Sequence, residues 1–221
     1  MTLPYRAVML DAFGTLLDLD DPVGRLQRGL RDRMQVHVSE EAAGRAFLTE
    51  VSYYTDHCHE GHDAATLDSL QLECAAIVLR ELGVDGDPRT ALTLLGDTIQ
   101  YRAFDDVAPT LEGLRRAGVP AAIVSNADYT LPQMLASAGV SVEHVFSSAA
   151  TGSSKPDRRI FEIALDALGV DAGAALHVGD TPDADGAGAA SVGVDVRIID
   201  RGGAGRPGTI ASLTEILELI G

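Results

Sequence analysis

Four short stretches hold side chains that could do chemistry together, and each stands after an apolar run or at the entry to a helical pattern. They are Asp11-Ala12-Phe13-Gly14-Thr15-Leu16, Ser125-Asn126-Ala127-Asp128, Ser154-Lys155-Pro156-Asp157 and Gly179-Asp180-Thr181-Pro182-Asp183-Ala184-Asp185. Taken singly each is ordinary. An Asp at a strand end commonly caps a helix or shapes a turn, and Ser-Asn is turn chemistry. Lys155 before Pro156 could be a solvated loop, and Asp180 and Asp185 could complement a helix dipole. Brought to one rim, however, they supply a carboxylate, a hydroxyl, an amine and an acidic cluster. That set suits phosphoryl transfer: carboxylates hold a divalent cation, while serine and lysine contact phosphate oxygens.

Elements able to bring them together are visible in the hydrophobic period. Residues 5–10 are compact and mostly apolar, as a buried strand requires. From 22 to 102 nothing reads as a strand. Helical patterns follow one another instead, at 23–34, 40–54, 67–82 and 88–101. Ser39 with Glu40 and Glu41, and Asp87 before Pro88, mark helix starts, and Gly83 marks a stop. After Asp105 the pattern alternates. Strands are expected at 121–124, 144–147, 175–178 and 194–199, with helices at 108–117, 131–137, 158–168, 183–192 and 210–219. Gly118 and Gly169 stand where helices would end, and 202–208 is a turn-rich loop.

Short apolar strands alternating with helices predict an α/β fold, a doubly wound, Rossmann-like parallel sheet covered on both faces. Its core would take residues 1–18 and 103–221. Residues 19–102 would form an all-helical domain inserted after the first strand. In such a sheet ligands bind beyond the carboxyl ends of the strands, where the four stretches fall.

The 221 residues carry 33 acidic and 17 basic side chains, a net charge of −16, so nucleic acid and anionic lipid are not expected partners. No apolar run approaches the roughly 20 residues of a membrane span. The run at 7–10 stops at Asp11 and lacks the basic start and cleavage site of a signal peptide, so a cytoplasmic location is expected. Cys58 and Cys74 have neither metal-site spacing nor the density of a disulfide scaffold, and are expected to be buried or incidental thiols.

The order Asp-x-x-Gly-Thr-Leu, Ser-Asn, Lys-Pro-Asp and Gly-Asp-x-x-x-x-Asp resembles the haloacid dehalogenase (HAD) superfamily, which includes phosphatases and dehalogenases. The resemblance covers almost the whole chain and makes the helical insertion a cap domain. It implies that Asp11 is a nucleophile forming a covalent aspartyl intermediate. Ser125, followed by Asn126, would bond the transferring group, with Gly14 and Thr15 as further substrate contacts. Lys155 would neutralise Asp11 and the phosphoryl oxygens. Mg²⁺ would be held by Asp11, Asp180 and the backbone carbonyl of Phe13, with Asp185 supporting the metal or orienting Lys155. The implied substrate is a small phosphorylated molecule, and the chain could be a monomer or a homodimer.

One departure matters. Phosphatases of this family usually carry a second Asp two residues after the nucleophile, to shuttle a proton, and here that position is Phe13. Three readings follow. The chain could be a phosphatase whose leaving group departs unprotonated or receives its proton from elsewhere; His57, His59 and His62, or Tyr53, Tyr54 and Asp56, would be candidates. It could be a 2-haloacid dehalogenase-like enzyme, because displacing halide needs no acid, although Asp180 is an odd choice for a metal-free reaction. Or it could be a non-catalytic descendant that keeps a metal and phosphate pocket.

Overall fold

The structure, a computed structural model, describes residues 5–203 and 207–220. In chain order the strands are β1 (Ala7–Leu10), β2 (Leu17–Leu19), β3 (Tyr101–Ala103), β4 (Ala121–Ser125), β5 (His144–Ser147), β6 (Ala175–Gly179), β7 (Asp195–Ile199) and β8 (Thr209–Ile210). The helices are α1 (Pro22–Met34), α2 (Glu40–His57), α3 (Ala64–Leu82), α4 (Pro88–Thr98), α5 (Val107–Ala117), α6 (Leu131–Ser137), α7 (Ser148–Thr151), α8 (Arg158–Leu168), α9 (Gly188–Ala190) and α10 (Ile216–Ile220). Two compact units result, one from the described residues of Met1–Asp18 and Ala103–Gly221, the other from Leu19–Arg102.

The first unit is built on a six-stranded sheet in the order β5-β4-β1-β6-β7-β8, with every pairing parallel. This is the α/β fold expected from the alternating pattern. All four residues of β1 and all five of β6 are buried, as strands covered on both faces must be. On one face α8 contributes Ile160, Phe161, Ala164 and Leu165, which pack with Met9, Ala122, Val124 and Ala175. Each fully buried Ile, Phe, Met or Val among them contributes about 1.5–3 kcal/mol.

Register decides where the chemistry falls. Leu10 pairs with Ile123 on one side and with Val178 on the other. Strand β1 connects toward β4, and β6 toward β7, so the strand order reverses between them. That reversal opens a crevice at the carboxyl ends of β1 and β6. Asp11 and Asp180 follow those two ends directly.

The second unit has its own apolar core. Leu26 and Leu30 of α1, Ala46 and Phe47 of α2, Ala75, Val78 and Leu79 of α3, and Leu94 and Leu95 of α4 pack together. The apolar helix expected at 67–82 is spent inside this core. Ser39 caps α2 by accepting from Ala42 N, Asp87 caps α4 with Pro88 in its first turn, and Gly83 ends α3 in a left-handed conformation.

Four expectations need correction. The helix placed at 88–101 ends at Thr98, because Ile99 is extended and the chain enters β3 at Tyr101. The stretch read as strand-free thus holds β3, paired with the equally unforeseen β2. Partners some 80 positions apart leave no local period to read. The helix at 183–192 is a π turn over Pro182–Ala187 followed by α9, with both Asp185 N and Gly186 N directed at Thr181 O. At 210–219 a helix was expected, but β8 ends at Ile210, and Ser212 with Glu215 forms a capping box that starts a 3₁₀ turn before α10. The loop expected at 202–208 lies partly outside the described residues.

Candidate active site

Asp11 leaves β1 almost wholly enclosed. Its Oδ1 accepts a hydrogen bond from Ser125 Oγ at 2.8 Å and one from Lys155 Nζ at 2.5 Å. Ser125 is the last residue of β4, the neighbour of β1, so sheet register alone carries its hydroxyl to the carboxylate. Lys155 arrives from a loop before α8 and is held there by Asn126. Lys155 N donates to Asn126 Oδ1 at 2.7 Å, and Asn126 Nδ2 donates to Lys155 O at 3.0 Å. The Asn126 side-chain amide is thus engaged at both ends with the lysine backbone.

The same ammonium donates to Asp185 Oδ1 at 2.6 Å. Asp185 is buried in the π turn, where its Oδ2 accepts from Thr181 N at 3.1 Å. A fourth group joins this chain. His177, in the middle of β6, places Nε2 2.8 Å from Asp185 Oδ1. Sequence reading passed over His177, since an imidazole inside an apolar strand carries no spacing signal. The only hint was a polar residue at a position buried on both faces.

Asp180 is solvent-exposed, and its Oδ1 accepts from Thr181 Oγ1 at 3.0 Å. Oxygens of Asp11, Asp180 and Asp185 lie within 4.8 Å of one another, the one such group of potential metal ligands among the described residues. Gly14 makes that approach possible. It has φ +72°, and a Cβ there would stand 2.3 Å from Asp180 Oδ2. Three carboxylates against one ammonium leave two negative charges in excess, and the donors are all oxygen. Such a set fits Mg²⁺, a hard cation that takes one or two carboxylates and keeps several waters.

Burial and charge compete over each group. Burial pushes the Asp11 carboxyl up to about 6, although the Lys155 charge opposes it. Burial acts to lower Lys155, and the carboxylates of Asp11 and Asp185 reverse that and leave it above its ordinary value. Burial would raise Asp185, yet the His177 hydrogen bond and the Lys155 charge hold it well below the usual carboxylate range. His177 itself is lowered by burial, only partly offset by Asp185. The resting site therefore keeps Lys155 charged.

The remaining candidates fall elsewhere or are differently used. Thr15 is fully buried and its hydroxyl has no hydrogen-bond partner among the described residues, while Gly14 N donates to Leu17 O at 2.9 Å. Phe13, at the position of the missing acid, forms a bridge with Leu17. His57, His59 and His62 do not gather into a metal site: His57 stacks on Tyr53 with ring centroids 4.0 Å apart, and His62 Nδ1 pairs with Glu60 O. Cys58 and Cys74 are buried thiols not joined in a disulfide. No helix among the described residues is long and apolar enough to cross a membrane.

Residues 5–193 match the family model of the haloacid dehalogenase-like hydrolases. The chain belongs to that family. Among similar haloacid dehalogenase-like hydrolases, the (S)-2-haloacid dehalogenase of Pseudomonas sp. (strain YL) is 30% identical over 82% of this chain and 78% of its own. The haloacid dehalogenase-like hydrolase domain-containing protein 3 of Bos taurus is 37% identical over 87% of this chain and 80% of its own. Proteins named as phosphatases match as well. A defluorinating L-2-haloacid dehalogenase of known structure superposes with a TM-score of 0.77 over 100% of this chain and 98% of that one. At 21% identity that likeness shows the fold alone.

Proposed function

We propose that this haloacid dehalogenase-like hydrolase is a Mg²⁺-dependent phosphatase of small activated phosphates, acting through a covalent phosphoryl group on Asp11. The observation that carries the reading is the acidic cluster. Asp11, Asp180 and Asp185 approach within 4.8 Å, and a divalent cation would offset the negative charge that Lys155 alone leaves unbalanced. Asp11, Asp180 and the Phe13 carbonyl would hold the ion, with Asp185 supporting it from behind. Bound there, Mg²⁺ neutralises phosphoryl oxygens and lets an anionic substrate approach an anionic nucleophile.

The chain's own groups do the rest. Asp11 in its ionised form attacks phosphorus, forming the Asp11 O–P bond as the P–O bond to the leaving group breaks and that oxygen departs with the electron pair. Lys155 and Ser125 fix the carboxylate for attack and face the charge that builds on the phosphoryl oxygens. Water then attacks phosphorus, the Asp11 O–P bond breaks, Asp11 regains its carboxylate, and phosphate leaves with the water's oxygen and one of its protons, the other passing to solvent. Phe13 cannot shuttle a proton in either step. An assisted transfer is worth about 10²–10⁴-fold, so the enzyme works best on groups that leave unprotonated, such as phenolates or acyl carboxylates. The helical unit is assigned the cap role of the family.

Two substrates test this. Mg²⁺-dependent turnover of p-nitrophenyl phosphate well above that of an alkyl phosphate is the expected result. A second reading has its own support, the 30% identity to an (S)-2-haloacid dehalogenase. On that reading Asp11 displaces halide from carbon. Chloride release from 2-chloropropionate without added metal, and no Mg²⁺-dependent phosphate release, would decide for it.

A further inference from the structure

His177 is wholly buried in β6 between Leu176 and Val178, which are also fully enclosed, and the edge of Phe161 meets its ring at 5.1 Å between centroids. An apolar side chain would satisfy that packing. What an apolar side chain would not supply is the bond from Nε2 to Asp185 Oδ1 at 2.8 Å. Asp185 needs such an anchor. It sits on a π turn next to Gly186 rather than on a regular element, and its Oδ1 must stay aimed at Lys155 for the ammonium to reach Asp11. β6 is the rigid neighbour of β1, with His177 paired in register to Met9, two residues before the nucleophile. The imidazole thus ties the turn to the centre of the sheet.

We propose that His177 is a positioning residue: its Nε2–H fixes the Asp185 carboxylate, which holds the Lys155 ammonium on Asp11. The inference rests on the reading of Asp11 as nucleophile for its catalytic consequence, and on the Asp185 contact alone for its geometry. A carboxylate oxygen accepts, so Nε2 carries the proton. The other ring nitrogen, Nδ1, makes no hydrogen bond of standard geometry among the described residues; the Met9 backbone also acts on the ring, but more weakly than Asp185, so the bond from Nε2 is the stronger polar contact. The relation is that of an outer hydrogen-bond partner to a site group, whose loss typically costs about 10–100-fold.

Two experiments test it. In the full-length wild type labelled with ¹⁵N-histidine, the His177 Nε2 resonance should be that of a protonated nitrogen; a bare Nε2 overturns the proposal. In the second, His177→Gln keeps an N–H donor at a similar reach, whereas His177→Met fills the space without one. With p-nitrophenyl phosphate and Mg²⁺, the Met variant should lose about 10–100-fold in kcat with KM changed less than about twofold. The Gln variant should recover most of that loss. Equal kcat in both folded variants and wild type would overturn the proposal, and so would a Gln variant that folds but is as slow as Met. Should the Met variant not fold, the wild-type resonance and the Gln variant decide. Absence of Mg²⁺-dependent turnover in the wild type would instead sink the phosphatase reading, while the resonance would still decide the His177 contact.

Discussion

Lys155 Nζ stands 2.5 Å from Asp11 Oδ1, and the two residues are 144 positions apart in the chain. The ammonium reaches the carboxylate because Asn126 grips the Lys155 backbone from the end of β4, and because Asp185 holds its far side at 2.6 Å. Breaking a buried pair of this kind leaves an uncompensated charge, which costs about 3–5 kcal/mol. Lys155→Met should therefore both destabilise the protein by that order in chemical denaturation and remove turnover. A variant that keeps wild-type stability would mean the pair contributes little.

Phe13 is the test of proton delivery. If the missing acid limits turnover of poor leaving groups, Phe13→Asp should raise alkyl phosphate hydrolysis by about 10²-fold while changing aryl phosphate hydrolysis much less. Steady-state rates on a matched pair of esters measure this. An equal change on both esters would show that leaving-group protonation is not what Phe13 withholds.

Asp180 is exposed and its side chain bonds the neighbouring Thr181 hydroxyl, so it can be altered without unfolding the sheet. Asp180→Asn should weaken Mg²⁺ binding by at least about tenfold with Tm nearly unchanged. Titration calorimetry with Mg²⁺ reads the affinity directly. Unchanged affinity would move the metal away from this carboxylate.

Glu50 gives a pH dependence of stability inside the helical unit. It is 3% exposed on α2, its Oε2 has no hydrogen-bond partner among the described residues, and burial pushes its carboxyl from 4.5 up to about 6 despite a bond from Cys74. A raised carboxyl favours the folded state in its neutral form. Its contribution is complete below about 4.5 and is lost as pH rises through about 6, a loss of about 2 kcal/mol by pH 7.5. Glu50→Gln should gain stability over wild type at pH 7.5 and gain little at pH 4.5. Asp11, also raised to about 6, adds to the same slope in both proteins and cancels in the difference. Denaturation curves at the two pH values check this, and the same gain at both would contradict it.

Much of this was legible in the sequence, for identifiable reasons. The strands β1, β4 and β6 are short, buried and mostly apolar runs, β5 is a half-buried one, and a helix such as α8 carries its buried residues at a 3.6-residue period. Asp11, Ser125 and Asp180 fall at strand ends once the strands are placed, whereas Lys155 and Asp185 lie on a loop and a turn that register alone does not position. What stayed hidden depends on contacts between distant segments. β2 and β3 exist only through each other, and His177 and Asn126 have tasks set by partners 8 and 29 positions away.

The central claim is a covalent bond between Asp11 and phosphorus. Rapid acid quench during turnover of p-nitrophenyl phosphate, followed by borohydride reduction and peptide mass spectrometry, measures it directly. The account predicts Mg²⁺-dependent reduction of Asp11 alone, absent in Asp11→Asn, which should also lose turnover by more than about 10³-fold. A wild type that turns over the ester with Asp11 unmodified, or an Asp11→Asn variant that keeps the activity, would contradict it.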